Sequence, residues 1–146
     1  MGTRTAARQF ATQRMMGSVL LDTTVLIDVL RGRPTTISRL RQLRVAGDMV
    51  HVCAVNVEET IRGMRAGEEA ATRALIEGMI VAPLDSPQGW QAGRWRGEFA
   101  ARGTTLEQAD CLVAAAAVGI GARLATGNPK DFPFPELVVE HWPVGA

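Results

Sequence analysis

Short apolar runs alternate with helix signals along this chain, and that alternation constrains the fold most. Ser18-Val-Leu-Leu, Val50–Val55, Met79–Leu84 and Arg123–Thr126 read as strands, with Leu137–Glu140 as an edge strand. The inner runs lack a polar face, as expected of strands covered on both sides. Between them lie helical segments with start and stop signals. Thr23 and Thr24 are expected to cap a helix over Val25–Leu30, which Gly32 and Pro34 end. A helix follows over Thr36–Val45, with Ile37, Leu40 and Leu43 on one face and Arg39, Arg41 and Arg44 on another. Asn56 reads as the cap of a helix reaching about Arg65, and Glu68–Gly78 as a further helix. Ser86-Pro87 opens a helix through Ala101, and Thr104 or Thr105 is expected to cap another through Ala117. Strands alternating with helices imply an α/β fold: a mostly parallel sheet with helices on both faces.

Length and composition agree with one soluble domain. The chain has 146 residues, is 47% hydrophobic and 21% charged, and contains no repeat or low-complexity tract. Its longest uncharged apolar run, Cys111–Ala122, is too short to span a bilayer and suits a buried helix. Cys53 and Cys111 sit far apart among apolar neighbours and read as reduced core thiols of a cytoplasmic protein. Neither pairs with His51 or His141 at a zinc-type spacing. Residues 1–16 are Arg- and Thr-rich without an acid and read as a disordered or non-native extension. They lack the apolar stretch of a secretory signal and only loosely resemble a mitochondrial transit peptide. The domain is therefore assigned to residues 17–146.

Net charge is +1. Without the extension the balance turns slightly acidic, so any nucleic-acid contact must be local. Arg31, Arg33, Arg39, Arg41 and Arg44 have no acid between them. They form either a solvated face or a contact for RNA or an acidic partner segment. Trp90 and Trp95 read as packing residues rather than base-stacking platforms.

In an open parallel sheet, ligands bind beyond the carboxyl ends of the strands. Asp22 ends the first strand there, Asn128 and Asp131 follow the fourth, and Glu59 is expected in the first turn of the helix after the second. Asp110 is expected about one and a half turns into its helix, beside the apolar run from Cys111. A half-buried carboxylate needs a partner. Several converging carboxylates cannot all stay ionised without cations between them. Hard Mg²⁺, with Mn²⁺ as the alternative, prefers such oxygen ligands and assists phosphoryl displacement. Each acid also has a plainer reading. Asp22 would be a turn acid, Glu59 the partner of Asn56 in a capping box, and Asp110 a solvated helix acid. Asn128 would be a turn former before Pro129, and Asp131 a loop acid. Asp28, Asp48 and Glu58 read as solvated-face or turn residues.

Four segments, in order, resemble the PIN-domain family and within it the VapC-type toxins: Val19–Asp28, Val55–Gly63, Leu106–Ala116 and Leu124–Phe132. The resemblance covers about residues 18–142. It implies a three-layer α/β/α fold, divalent-metal-dependent cleavage of RNA, a homodimer, and inhibition by a VapB-type antitoxin. By position, the family's first three acids fall on Asp22, Glu59 and Asp110, and Thr23 matches its hydroxyl after the first acid. The fourth position, often Asp, is Asn128 here, with Asp131 near enough to help. Two other readings compete. One is a metal-free interaction module. The other is a phosphoaspartate protein built on Asp22-Thr-Thr, which would leave Glu59 and Asp110 unexplained.

Overall fold

The computed structural model describes residues 17–146. The extension assigned to residues 1–16 lies outside them. The chain order is β1 (Ser18–Leu21), α1 (Thr23–Leu30), α2 (Pro34–Val45), β2 (Met49–Val52), α3 (Ala54–Arg62), α4 (Glu69–Glu77), β3 (Ile80–Val81), α5 (Ser86–Ala101), α6 (Gln108–Gly119), β4 (Arg123–Thr126), a 3-10 turn (Pro129–Asp131) and β5 (Val139–His141). The strands form one sheet in the order β3-β2-β1-β4-β5, and every pairing is parallel. The expected α/β/α class is the observed one.

The layers follow from side-chain alternation along the central strand. Leu20 points to one face, where it joins Ala92 and Trp95 of α5 and Cys111 and Val113–Ala117 of α6. Val19 and Leu21 point to the other, joining Val25 and Leu26 of α1, Leu40 of α2 and Trp142. Strands of this kind are hydrophobic on both faces because helices cover both. Cys53 and Cys111 are free and buried, as expected. Among the described residues no helix is long and apolar enough to cross a membrane.

The chain runs outward from β1 to β2 and β3, then returns to β4 and β5 on the other side of β1. Order therefore reverses between β1 and β4, and an open sheet of this kind presents its binding crevice at that reversal.

Several local expectations need correction. α1 begins at Thr23 with Asp22 as its N-cap, and no side chain caps it. Thr23 and Thr24 lie inside the first turn, with their hydroxyls turned to tertiary partners. Asn56 is the third residue of α3, whose N-cap is Cys53. Glu107, not Thr104 or Thr105, precedes α6. Two register shifts follow. Glu59 falls in the second turn of α3 rather than the first, and Asp110 in the first turn of α6 rather than one and a half turns in. β3 shrinks to two residues. It is an edge strand, paired on one side only, and Pro83 just beyond it has no N–H to offer.

Trp95 is the largest fully buried side chain, at 2% exposure. It stacks on Phe134 at 4.2 Å, and its indole N–H donates to Glu136 at 3.1 Å. Truncating such a residue costs about 3–5 kcal/mol, so Trp95 is a packing residue, as read. Trp90 is not: it stands 66% exposed, with Arg94 over its ring at 5.8 Å.

Asp28 and Asp48 also depart from the solvated reading. Asp28 is only 5% exposed and accepts from the Gly145 N–H at 2.8 Å. Asp48 pairs with Arg123 at 3.2 Å.

Candidate active site

β1 delivers Asp22 to the reversal point. Its N–H donates to the Ala125 carbonyl at the end of β4, at 2.9 Å, which ties the two strand ends together. Its carboxylate is almost buried, at 7% exposure. The Oδ2 atom accepts from the Thr126 hydroxyl at 2.8 Å and from the Thr24 hydroxyl at 3.4 Å. Burial pushes its pKa up most strongly. The Thr126 hydrogen bond is the largest opposing influence, and nearby Glu59 adds to the rise.

Glu59 arrives from α3, which packs against α1. Its Oε1 accepts from the Thr23 hydroxyl at 2.7 Å. The Asn56 side-chain amide donates to that same Thr23 oxygen, at 3.3 Å. The residue after the first acid therefore serves the second acid.

Asp110 enters from the first turn of α6, where the helix dipole favours a negative charge. Its pKa is nevertheless pushed up to about 7. Burial is the main cause, followed by the negative charges of Asp131, Asp22, Glu59 and Glu107. Three acids, one at the β1–α1 junction and one each from α3 and α6, thus feel one another. They do not form a finished cage: among the described residues, no group of three or more His, Cys, Asp or Glu side chains stands ready to hold a metal ion. The oxygen-only donor set and the uncompensated negative charge suit a hard divalent cation. Mg²⁺ in particular binds through one or two carboxylates and keeps several waters, so it needs no closed cage.

Asn128 and Asp131 line the outer side. Asn128 is exposed, and its backbone N–H donates to the Thr126 hydroxyl at 3.0 Å. Asp131, exposed in the 3-10 turn, acts on Asp110 through its charge.

Sequence reasoning passed over Thr126 and read Thr24 and Asn56 only as helix caps, missing their place among the polar groups around Asp22 and Thr23. Thr126 was legible as the last residue of the strand beside β1. Asn56 was legible only as a helix-capping residue, because its site partner lies 33 residues away.

The arginine stretch is not one free face. Arg31 pairs with Glu68 at 2.6 Å. Arg39 lies over the Trp142 ring at 4.5 Å and donates to the His141 carbonyl at 3.0 Å. Arg33, Arg41 and Arg44 remain exposed. A cavity of about 500 Å³ lined by Ser18, Arg123 and Glu140 lies at the amino ends of the strands, opposite the acids.

Comparison with known proteins bears on this arrangement. The PIN domain model matches residues 19–134. The chain is 29% identical over 119 residues to ribonuclease VapC19 of Mycobacterium tuberculosis, covering 81% of this chain and 95% of that protein. Its fold is similar to a chain of VapBC2 from Rickettsia felis bound to a DNA fragment from their promoter. That match has a TM-score of 0.73 and 18% identity, over 86% of this chain and 98% of that one. VapBC-1 from nontypeable Haemophilus influenzae gives a TM-score of 0.71 at 24% identity, over 86% and 98%. At those identities the structures speak to fold alone. The family model, however, spans all three acids and the hydroxyls on Asp22 and Glu59, and on that ground the chain belongs to the PIN domain family.

Proposed function

We propose that residues 17–146 form a metal-dependent endoribonuclease domain, and that the protein is the toxin of a VapBC-type pair. The observation that carries this reading is the gathering of Asp22, Glu59 and Asp110 at the reversal point, with Asp110 raised to about 7. The ribonuclease named among its relatives and the VapBC structures that share its fold support the activity and the partner.

Asp22, Glu59 and Asp110, with Asp131 at the rim, would hold Mg²⁺ or Mn²⁺. A bound divalent ion supplies charge neutralisation at the phosphoryl oxygens and a water of lowered pKa. The chain's own residues do the rest. Thr126 holds Oδ2 of Asp22 in one orientation, and Thr23 holds Oε1 of Glu59. Burial and the neighbouring carboxylates raise Asp110 to about 7, and a bound cation would favour its ionised form. Asn128, in the family's fourth position, contributes no charge, so Asp131 supplies the negative potential there.

Exposed Arg33, Arg41 and Arg44 offer an RNA backbone or an acidic antitoxin segment a local positive contact. Action as a homodimer in the cytoplasm completes the proposal. The test is cleavage of a mixed RNA pool by the purified chain with Mg²⁺ or Mn²⁺ and with EDTA. Expression alone should arrest growth, and co-expression of an antitoxin should relieve it. Cleavage that persists in EDTA ends the metal-nuclease reading.

A further inference from the structure

Asn56 is fully buried, and its amide is used at both ends. Its Oδ1 accepts from the Cys53 backbone N–H at 3.1 Å and from the Cys53 thiol at 3.1 Å. That acceptor role fixes which end of the amide is oxygen, because a flipped amide would set an N–H₂ against the Cys53 N–H. The Nδ2 end must therefore face Thr23, and it donates to the hydroxyl oxygen at 3.3 Å. A threonine hydroxyl has one proton. With Asn56 donating into that oxygen, the Thr23 proton is directed to Glu59 Oε1, 2.7 Å away.

A purely local helix-capping role does not require this residue. The third position of a helix needs only an acceptor for the N-cap N–H, and a carboxylate-bearing or longer amide side chain usually serves. An acid here would compete with Glu59 for the Thr23 proton and add a charge beside Asp22 and Glu59. An amide alone combines the acceptor that Cys53 needs with a donor that leaves the Thr23 proton to Glu59.

We propose that Asn56 is a positioning residue: through Thr23 it orients the Glu59 carboxylate toward the cation site. The inference rests on the metal-nuclease reading above and is tested on the full chain with Mn²⁺ alone, by titration calorimetry. Asn56→Ala and Thr23→Val each weaken Mn²⁺ binding about 10-fold, the lower end of what the loss of a ligand-orienting partner costs. Because both act through one hydroxyl, the double variant is no weaker than either single one. Thr23→Ser restores binding. Asn56→Ser keeps a hydroxyl for the Cys53 N–H but is too short to reach Thr23; it substitutes for Asn56→Ala if that variant melts below the assay temperature. Unchanged affinity in the folded Asn56 variants, or strictly additive losses in the double variant, overturns the proposal. If the wild-type chain shows no Mn²⁺ binding that Glu59→Gln weakens, the nuclease reading fails instead. A crystal structure of Asn56→Ser then still decides the relay: a retained Thr23–Glu59 hydrogen bond overturns it, and a Glu59 side chain swung away from Thr23 supports it.

Discussion

The two ends of the same sheet treat their acids in opposite ways. At the amino ends, Arg123 at the start of β4 stands between Asp48, at 3.2 Å, and Glu140, and its guanidinium also donates to the Ser18 carbonyl at 3.4 Å. At the carboxyl ends, Asp22 and Glu59 accept from hydroxyls, and Asp110 feels the charge of both. Every charge named among the influences on Asp110 is another carboxylate. Both ends are partly desolvated. One has its two carboxylates bridged by a guanidinium of the chain itself, which makes it structural. The other has no cation among the charges that act on Asp110, which is the electrostatic pattern the proposed metal site needs.

The largest effect that would break this contrast is loss of the first acid. Asp22→Asn keeps the shape but removes a charge, and RNA cleavage with Mn²⁺ should fall at least about 100-fold with the far-ultraviolet circular dichroism unchanged. Full activity in that variant would mean the carboxyl end is not the reactive one. At the other end the expectation reverses. Arg123→Met leaves Asp48 and Glu140 without their cation and should cost about 3 kcal/mol in urea unfolding. Cleavage per folded molecule should stay within about threefold of wild type. A large loss of activity at full stability would erase the distinction between the ends.

The third expectation concerns pH. The folded pKa of Asp110 is raised to about 7, so between about pH 4 and pH 7 the folded chain binds more protons than the unfolded one. Unfolding free energy therefore falls as pH rises through that window. Asp22, also raised, acts in the same direction. Because Asp110 is only half-buried, solvent screening reduces the effect to about 1–2 kcal/mol. Urea midpoints in EDTA at pH 5 and pH 7.5 should show the loss, and Asp110→Asn should flatten it. A metal-free chain that is more stable at pH 7.5 would contradict the uncompensated charge. The smallest effect is at the rim. Asn128→Ala should change cleavage less than about threefold, since its side chain is exposed and neutral. Asp131→Ala should move the pH dependence of apo stability toward lower pH. A loss of cleavage in Asp131→Ala equal to that of Asp22→Asn would instead make Asp131 a ligand in its own right.

Much of this molecule can be read in one dimension, because short-range periodicity reports it. The runs at Ser18–Leu21 and Arg123–Thr126 fall within the observed strands. Their lack of a polar face announced helices on both sides, and Asp22, just past the end of β1, lies where the strand order reverses. Helix starts were less legible. The threonines at 23, 24, 104 and 105 all have capping chemistry, but none caps a helix here. Thr23 and Thr24 lie close enough to Glu59 and Gly127 to bond them instead.

Pairings over long separations had no local trace. Thr23 meets Glu59 across 36 residues, Asp22 meets Thr126 across 104, and Arg123 meets Asp48 across 75. A solvated acid and a buried one look alike in sequence, which is why Asp28 and Asp48 read as surface residues. Periodicity records which way a side chain faces from its own element. Whether a charge finds an opposite charge, a hydroxyl or another acid depends on which elements the fold brings alongside, and at the two ends of this sheet that placement separates an ion pair from a candidate metal site.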